Sequence, residues 1–149
     1  MDRVPPQSLE AEQSLLGSML LDKDAAESAL EMVAAEDFYR DAHRQIYQVV
    51  RALRRENEDI DLTTVTESLR KAGMLERVGG ATYISTLGNS VPSPLHWESY
   101  ARIVLEKSRL RRVISTAQEA MEQAYDGNPI AVDTLQAGAV ELEGRDLRT

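Results

Sequence analysis

Apolar residues recur at three- and four-residue intervals through almost all of this chain, the spacing that lines one side of an α-helix. The first run follows Pro5-Pro6, where Ser8 is placed to cap a helix whose first turn carries Glu10 and Glu12. Leu9, Leu15, Leu16, Met19 and Leu20 fall on one side of that helix, with Glu12, Gln13 and Ser18 on the other. Residues 23–33 predict a second helix with Ala26, Leu30 and Val33 inward, and a short link over 36–39 carries the only phenylalanine. A third helix over 41–55 turns Ile46, Val49, Val50 and Leu53 inward and leaves Arg44, Gln48, Arg51 and Arg55 to water. After a polar stretch over 56–59, Asp61 caps a fourth helix with Leu62, Val65 and Leu69 inward, and Gly73 is placed to end it in the left-handed conformation. Gly79-Gly80 opens a short fifth helix bearing Tyr83, Ile84 and Leu87, which stops before Val91-Pro92-Ser93-Pro94. No segment alternates with the period of a strand, so the expected fold class is all-α.

From His96 the pattern lengthens. Trp97, Tyr100, Ala101 and Val104 continue the core, and Leu110, Ile114, Ala117, Met121 and Ala124 then repeat at four-then-three spacing, the seam of a helix that packs lengthwise on another. Asp126-Gly127-Asn128-Pro129 marks a turn, beyond which Val132, Leu135, Ala139 and Leu142 repeat the seam. These runs predict a compact helical bundle over residues 1–107 followed by an antiparallel helical hairpin over 108–149. Two helices have no third layer to cover them, and helices of about 15 residues are marginal alone. The hairpin therefore requires a further surface, either a second copy of the chain or the bundle itself if the hairpin folds back on it.

Composition narrows the function chiefly by what it lacks. The 149 residues carry no cysteine, which excludes disulfides and thiolate metal sites and is compatible with a cytoplasmic location. No apolar run approaches the roughly 18 residues of a membrane span, and the N-terminus lacks the basic-then-apolar layout of a secretory signal. The net charge of −8 argues against a domain that grips nucleic acid by its phosphates. The basic run Lys107, Arg109, Arg111 and Arg112 is spread around its helix by the helical spacing and reads as a solvated face.

Catalytic chemistry is equally hard to place. No phosphate-loop sequence occurs, and Gly79-Gly80 lacks the lysine, hydroxyl residue and preceding strand that one requires, so it reads as a helix-opening turn. The two histidines, His43 and His96, are far apart and have no carboxylate at metal-ligand spacing; His43 reads as a capping or packing residue. No serine has a triad-like context and the carboxylates are scattered, so the residues predict no enzyme, cofactor site or metal site in this chain. Three classes of function then compete: an assembly and docking domain, a helical adaptor, and a single-strand-binding module. The last needs a basic groove with stacking aromatics, which an acidic chain with one core-facing tryptophan does not offer.

EAEQSLLGSMLLD, followed at matching distances by EDFYRDAH, IDLTTV, GGATYISTL, VPSP and YARIVLEKSRLRRVI, resembles the N-terminal domain of DnaB-type bacterial replicative DNA helicases from Pro5 to about Leu142. In that family the segment precedes a linker and an ATPase domain, so the resemblance implies a non-catalytic domain cut off from the motor that would use ATP and magnesium. It also implies pairing of such domains through their hairpins, a collar of three dimers on a hexameric ring, docking of the primase C-terminal domain, and a helicase loader or initiator acting near the collar. The place of action it implies is the bacterial cytoplasm, at the nucleoid-associated replisome. Carried over by position, the pairing and docking surface comprises Leu110, Ile114, Ala117, Met121, Val132, Leu135 and Leu142, with Tyr83 of GGATYISTL close to it. The alternative is a helical protein-interaction adaptor unrelated to replication. Two positions depart from the family pattern: His96 stands where an asparagine cap is common, and Gly138 stands where an acidic residue is usual. A helix-interior glycine predicts a looser hairpin.

Overall fold

The computed structural model describes residues 3–146, with side chains as far as Gly144. Seven helices follow in order: α1 Leu9–Leu21, α2 Lys23–Met32, α3 Asp41–Arg55, α4 Leu62–Lys71, α5 Gly80–Asn89, α6 Trp97–Tyr125 and α7 Ile130–Asp146. Single 3-10 turns, Ala35–Asp37 and Pro94–His96, precede α3 and α6, and no strand occurs among the described residues. Local signals set these limits. Ser8 accepts the Ala11 N–H at 3.1 Å, and Asp61 and Thr64 close a reciprocal box at the start of α4. After α4 the chain turns at Gly73, whose φ of +70° an L side chain adopts only with strain. His96 supplies no side-chain cap to α6; Ser93 caps the preceding 3-10 turn instead.

The expected two-sided α1 is corrected by its surroundings. Packed by α2, α3, α5 and α6, it is buried almost all round, so that Glu12 and Ser18, expected on its wet side, lie in the interior while Leu9 stays partly exposed. Leu15, Leu16 and Met19 meet Phe38, Ile46, Tyr47, Val50, Leu69, Ile84 and Leu87 in one core. α1 and α5 approach so closely that a Cβ on Gly17 would stand 2.2 Å from the Leu87 carbonyl oxygen. Tyr47 sits in the centre of the core with its O–H donated to the Val33 carbonyl, and the Arg44 Nε–H, expected in water, donates to the Phe38 carbonyl at 2.7 Å.

α6 is one continuous helix of 29 residues. Ala101 and Val104 anchor its first half in the core, and its second half runs out to the turn at Gly127 and pairs with α7. The boundary expected after residue 107 therefore falls inside a helix, and residues 147–149 lie outside the described residues.

Candidate partner-docking surface

The hairpin is held together by small and polar side chains. Thr134 Oγ1 donates to Gln123 Oε1 at 2.6 Å, Ala120 is buried, and Arg112 pairs with Glu141. Gly138 sits directly on Thr116: a Cβ there would lie 2.6 Å from Thr116 Cγ2. The glycine is thus a point of close approach between α6 and α7, where the sequence alone suggested only a weak place in a helix. Its cost in helix propensity is set against the contact that only a residue without Cβ permits.

The apolar residues of the hairpin point elsewhere. Leu110, Ile114, Met121, Val132 and Leu135 are exposed, with 41–60 % of their surface open, and Ala117 is exposed beside them. Leu142 differs from the rest of the expected set, being half-buried on the inner edge of α7. Val113, Tyr125, Ile130 and Val140 add exposed apolar area that the four-then-three pattern did not capture. At about 100° per residue, the apolar arc of α6 lies roughly 120° from the side facing α7, and that of α7 roughly 90° from the side facing α6. Because the helices run antiparallel, both arcs turn to the same side. One two-helix apolar face results, of the kind that marks a protein interaction site when left open.

Along most of its length its charge is unfavourable to a nucleic-acid phosphate. Between Val113 and Gly144 the only charged side chains are Glu119, Glu122, Asp126, Asp133, Glu141 and Glu143, all of the same sign as a phosphate. No helix among the described residues is long and apolar enough to cross a membrane. No group of ligating side chains among them is placed to hold a metal ion.

Tyr83 does not belong to this face. From α5 its phenol meets His43 Nε2 at 2.6 Å and accepts from Gln13 Nε2 at 3.3 Å, while the Arg40 guanidinium lies 5.3 Å from its ring centre. Its polar contacts are on α1, on α3 and on the residue before α3. His43 Nδ1 lies 2.7 Å from Glu12 Oε1, and a carboxylate there can only accept, so in the neutral imidazole Nε2 accepts the phenol O–H. Glu12 further accepts the backbone N–H of Tyr39 at 2.8 Å and of Arg40 at 3.4 Å, at the entry to α3. Burial raises the Tyr83 phenol above its ordinary value, with the Gln13 hydrogen bond and Arg40 opposing. Among the described residues no buried side-chain polar atom is left without a partner, and the Glu12–His43–Tyr83 chain ties α1, α3 and α5 together. Nothing along the chain marks it, since Glu12 reads as a solvent-face residue and the three positions are far apart.

Residues 4–106 match the DnaB-like helicase N terminal domain family. The chain is 45 % identical over 147 residues to the replicative DNA helicase DnaB of Geobacillus stearothermophilus, covering 97 % of this chain and 32 % of that protein. It is 44 % identical over 134 residues to the replicative DNA helicase DnaC of Bacillus subtilis (strain 168), covering 90 % and 30 %. This chain thus spans about a third of the length of these relatives. The crystal structure of the N-terminal domain of DnaB helicase from Mycobacterium tuberculosis superposes with a TM-score of 0.87 at 41 % identity, over 92 % of this chain and 99 % of that one. A DnaB-like replicative helicase, described with its interactions with primase, superposes at 0.72 with 27 % identity, over 93 % of this chain and 31 % of that one. With the family match over most of its helical body, and with the same helical fold in a solved N-terminal domain of that family, the chain belongs to the DnaB-like helicase N-terminal domain family.

Proposed function

We propose that this domain serves DNA replication as a non-catalytic assembly and docking module of a replicative helicase. It pairs with a second copy through the apolar face of the hairpin, and the paired domains, three pairs to a hexamer, receive the primase C-terminal domain. A helicase loader or initiator engages the same collar. ATP and magnesium belong to the motor portion of such a helicase and not to this domain, and the place of action is the bacterial cytoplasm, at the nucleoid-associated replisome. On this reading residues 1–107 act as the body and 108–149 as the pairing and docking element.

The observation that carries the proposal is the exposed face of Leu110, Ile114, Met121, Val132 and Leu135, which a single hairpin leaves open. Burying apolar area stabilises by about 25 cal/mol per Å², set against the cost of association. Alanine at positions 117, 124 and 139 keeps the face thin, so the expected dimer dissociates on dilution. Sedimentation velocity across a concentration series tests pairing, and titration of a labelled primase C-terminal domain tests docking. Ile114→Glu or Met121→Glu, each placing an unpaired charge in the face, should abolish pairing while the circular dichroism of the body is unchanged. A wild-type protein that stays monomeric at every concentration and does not bind the primase domain would refute the proposal.

A further inference from the structure

The apolar anchoring of α6 in the body ends near Leu105, and beyond it the polar residues Ser108, Arg111 and Arg112 reach back to the body. Ser108 donates to the buried Asp37 carboxylate at 2.7 Å, and the other oxygen of that carboxylate accepts the Ala34 N–H at 2.7 Å. Arg111 donates to two backbone carbonyls at once: Pro6 in the segment before α1, at 2.8 Å, and Asp37 in the 3-10 turn, at 2.7 Å. Its guanidinium also lies 5.4 Å from the Tyr39 ring centre. Arg112 bridges Glu36 of the body, at 2.8 Å, and Glu141 of α7. Towards its end α7 does not close on the body. A cleft of about 830 Å³ lies between them, with Leu30, Met32 and Leu105 on one side and Glu141 and Gly144 on the other.

We propose that Arg111 is the positioning residue of the hairpin: by joining α6 to the Pro6 and Asp37 carbonyls together, it fixes the direction of the hairpin relative to the body. The lever it controls is long. From residue 111 to the end of α6 is about 21 Å, so a tilt of about 10° at the root moves the tip by roughly 4 Å. The cleft gives α7 room to follow such a tilt. A guanidinium suits the task because its planar fork serves two acceptors in fixed directions, which an ammonium does not. Burial lowers the Arg111 pKa from its ordinary value, opposed by Glu12 and Asp37, so these partners offset only part of its desolvation. The meaning of a fixed direction for assembly rests on the proposed pairing of hairpins; the positioning itself does not.

The chain has no cysteine, so spin labels at Gln48→Cys on α3 and Asp133→Cys on α7, both exposed, report the body-to-hairpin distance by double electron–electron resonance. Dilution into unlabelled protein confines the signal to single chains, so the result does not depend on whether hairpins pair. Wild type should give one narrow distance. Arg111→Met keeps the length of the stem and removes both hydrogen bonds, and should lose the narrow distance to a broad distribution at unchanged helicity. Arg111→Lys, which serves one carbonyl, should fall between the two. A chain shortened to begin at Ser8 removes the Pro6 acceptor and should broaden the distribution as well. A wild-type distribution in Arg111→Met overturns the proposal; should that variant not fold, a wild-type distribution in the shortened chain overturns it.

Discussion

Gly138→Ala tests whether the hairpin is built on close approach. The new Cβ would fall 2.6 Å from Thr116 Cγ2 and 3.1 Å from its Oγ1, whereas carbon atoms in contact sit about 3.5–4.0 Å apart. Threonine swings clear in only one of its three staggered χ1 orientations, the one that turns Hβ to the glycine, and branching at Cβ restricts χ1 in a helix. In the other two the helices must part by roughly 1 Å, and overpacking of this kind costs about 1–3 kcal/mol. Against it stands the gain from replacing glycine with alanine in a helix, about 1 kcal/mol. The expected net effect is a loss of about 1 kcal/mol, or roughly 3 °C in Tm for a domain of this size. Removing both branches in Gly138→Ala/Thr116→Ala leaves Thr116 Cβ, at 3.4 Å, as the nearest atom, and the propensity gain should then be recovered. Urea unfolding of the four proteins, followed by circular dichroism, completes a double-mutant cycle with an expected coupling of about 1–2 kcal/mol. A Gly138→Ala variant about 1 kcal/mol more stable than wild type, with no coupling to Thr116, would mean that the helices do not meet there.

Other predictions concern the body. Gly17→Ala should cost about 3 kcal/mol, the upper end of the overpacking range, because the obstructing Leu87 oxygen at 2.2 Å is backbone and cannot rotate away; chemical denaturation measures it. Glu12→Gln turns one acceptor into a donor among the Tyr39 and Arg40 N–H groups and His43, and should cost about 2–3 kcal/mol by the same assay. The folded-state pKa of Tyr83 is raised above that of the unfolded chain, so its stabilisation is fully present below about pH 10 and is lost as pH rises through the folded value. Tyr47, raised by burial in the same way, adds to that alkaline loss. Tyr83→Phe should lower stability at neutral pH, by leaving His43 Nε2 without its partner, and should flatten the alkaline decline; urea titrations at about pH 8 and above pH 10 compare the two, and an unchanged slope would count against the burial of the phenol.

Much of the fold was legible in the chain because helix signals are local. The caps at Ser8 and Asp61, the left-handed turn at Gly73, the prolines after α5 and the three- and four-residue apolar spacing each act within one or two turns, and the structure follows them. The outward face of Leu110, Ile114, Ala117, Met121, Val132 and Leu135 was also legible, since a two-helix element cannot cover a seam wider than its own contact. The continuity of α6 was there to be seen as well, as no glycine or proline interrupts residues 97–125.

What the chain could not disclose depends on how many neighbours an element acquires. Periodicity assumes one dry side and one wet side, but α1 is enclosed by four helices, so Glu12 and Ser18 are carried inside and must find partners there. Leu142 turns to the inner edge of α7 and Tyr83 to His43 for the same reason: the angle at which helices meet, and not the spacing along one of them, selects the buried arc. Gly138 shows the limit most plainly. Along the sequence it is a weak helix former; across the hairpin it is the one place where Thr116 comes within reach of a missing Cβ, a distance that exists only once two helices have packed.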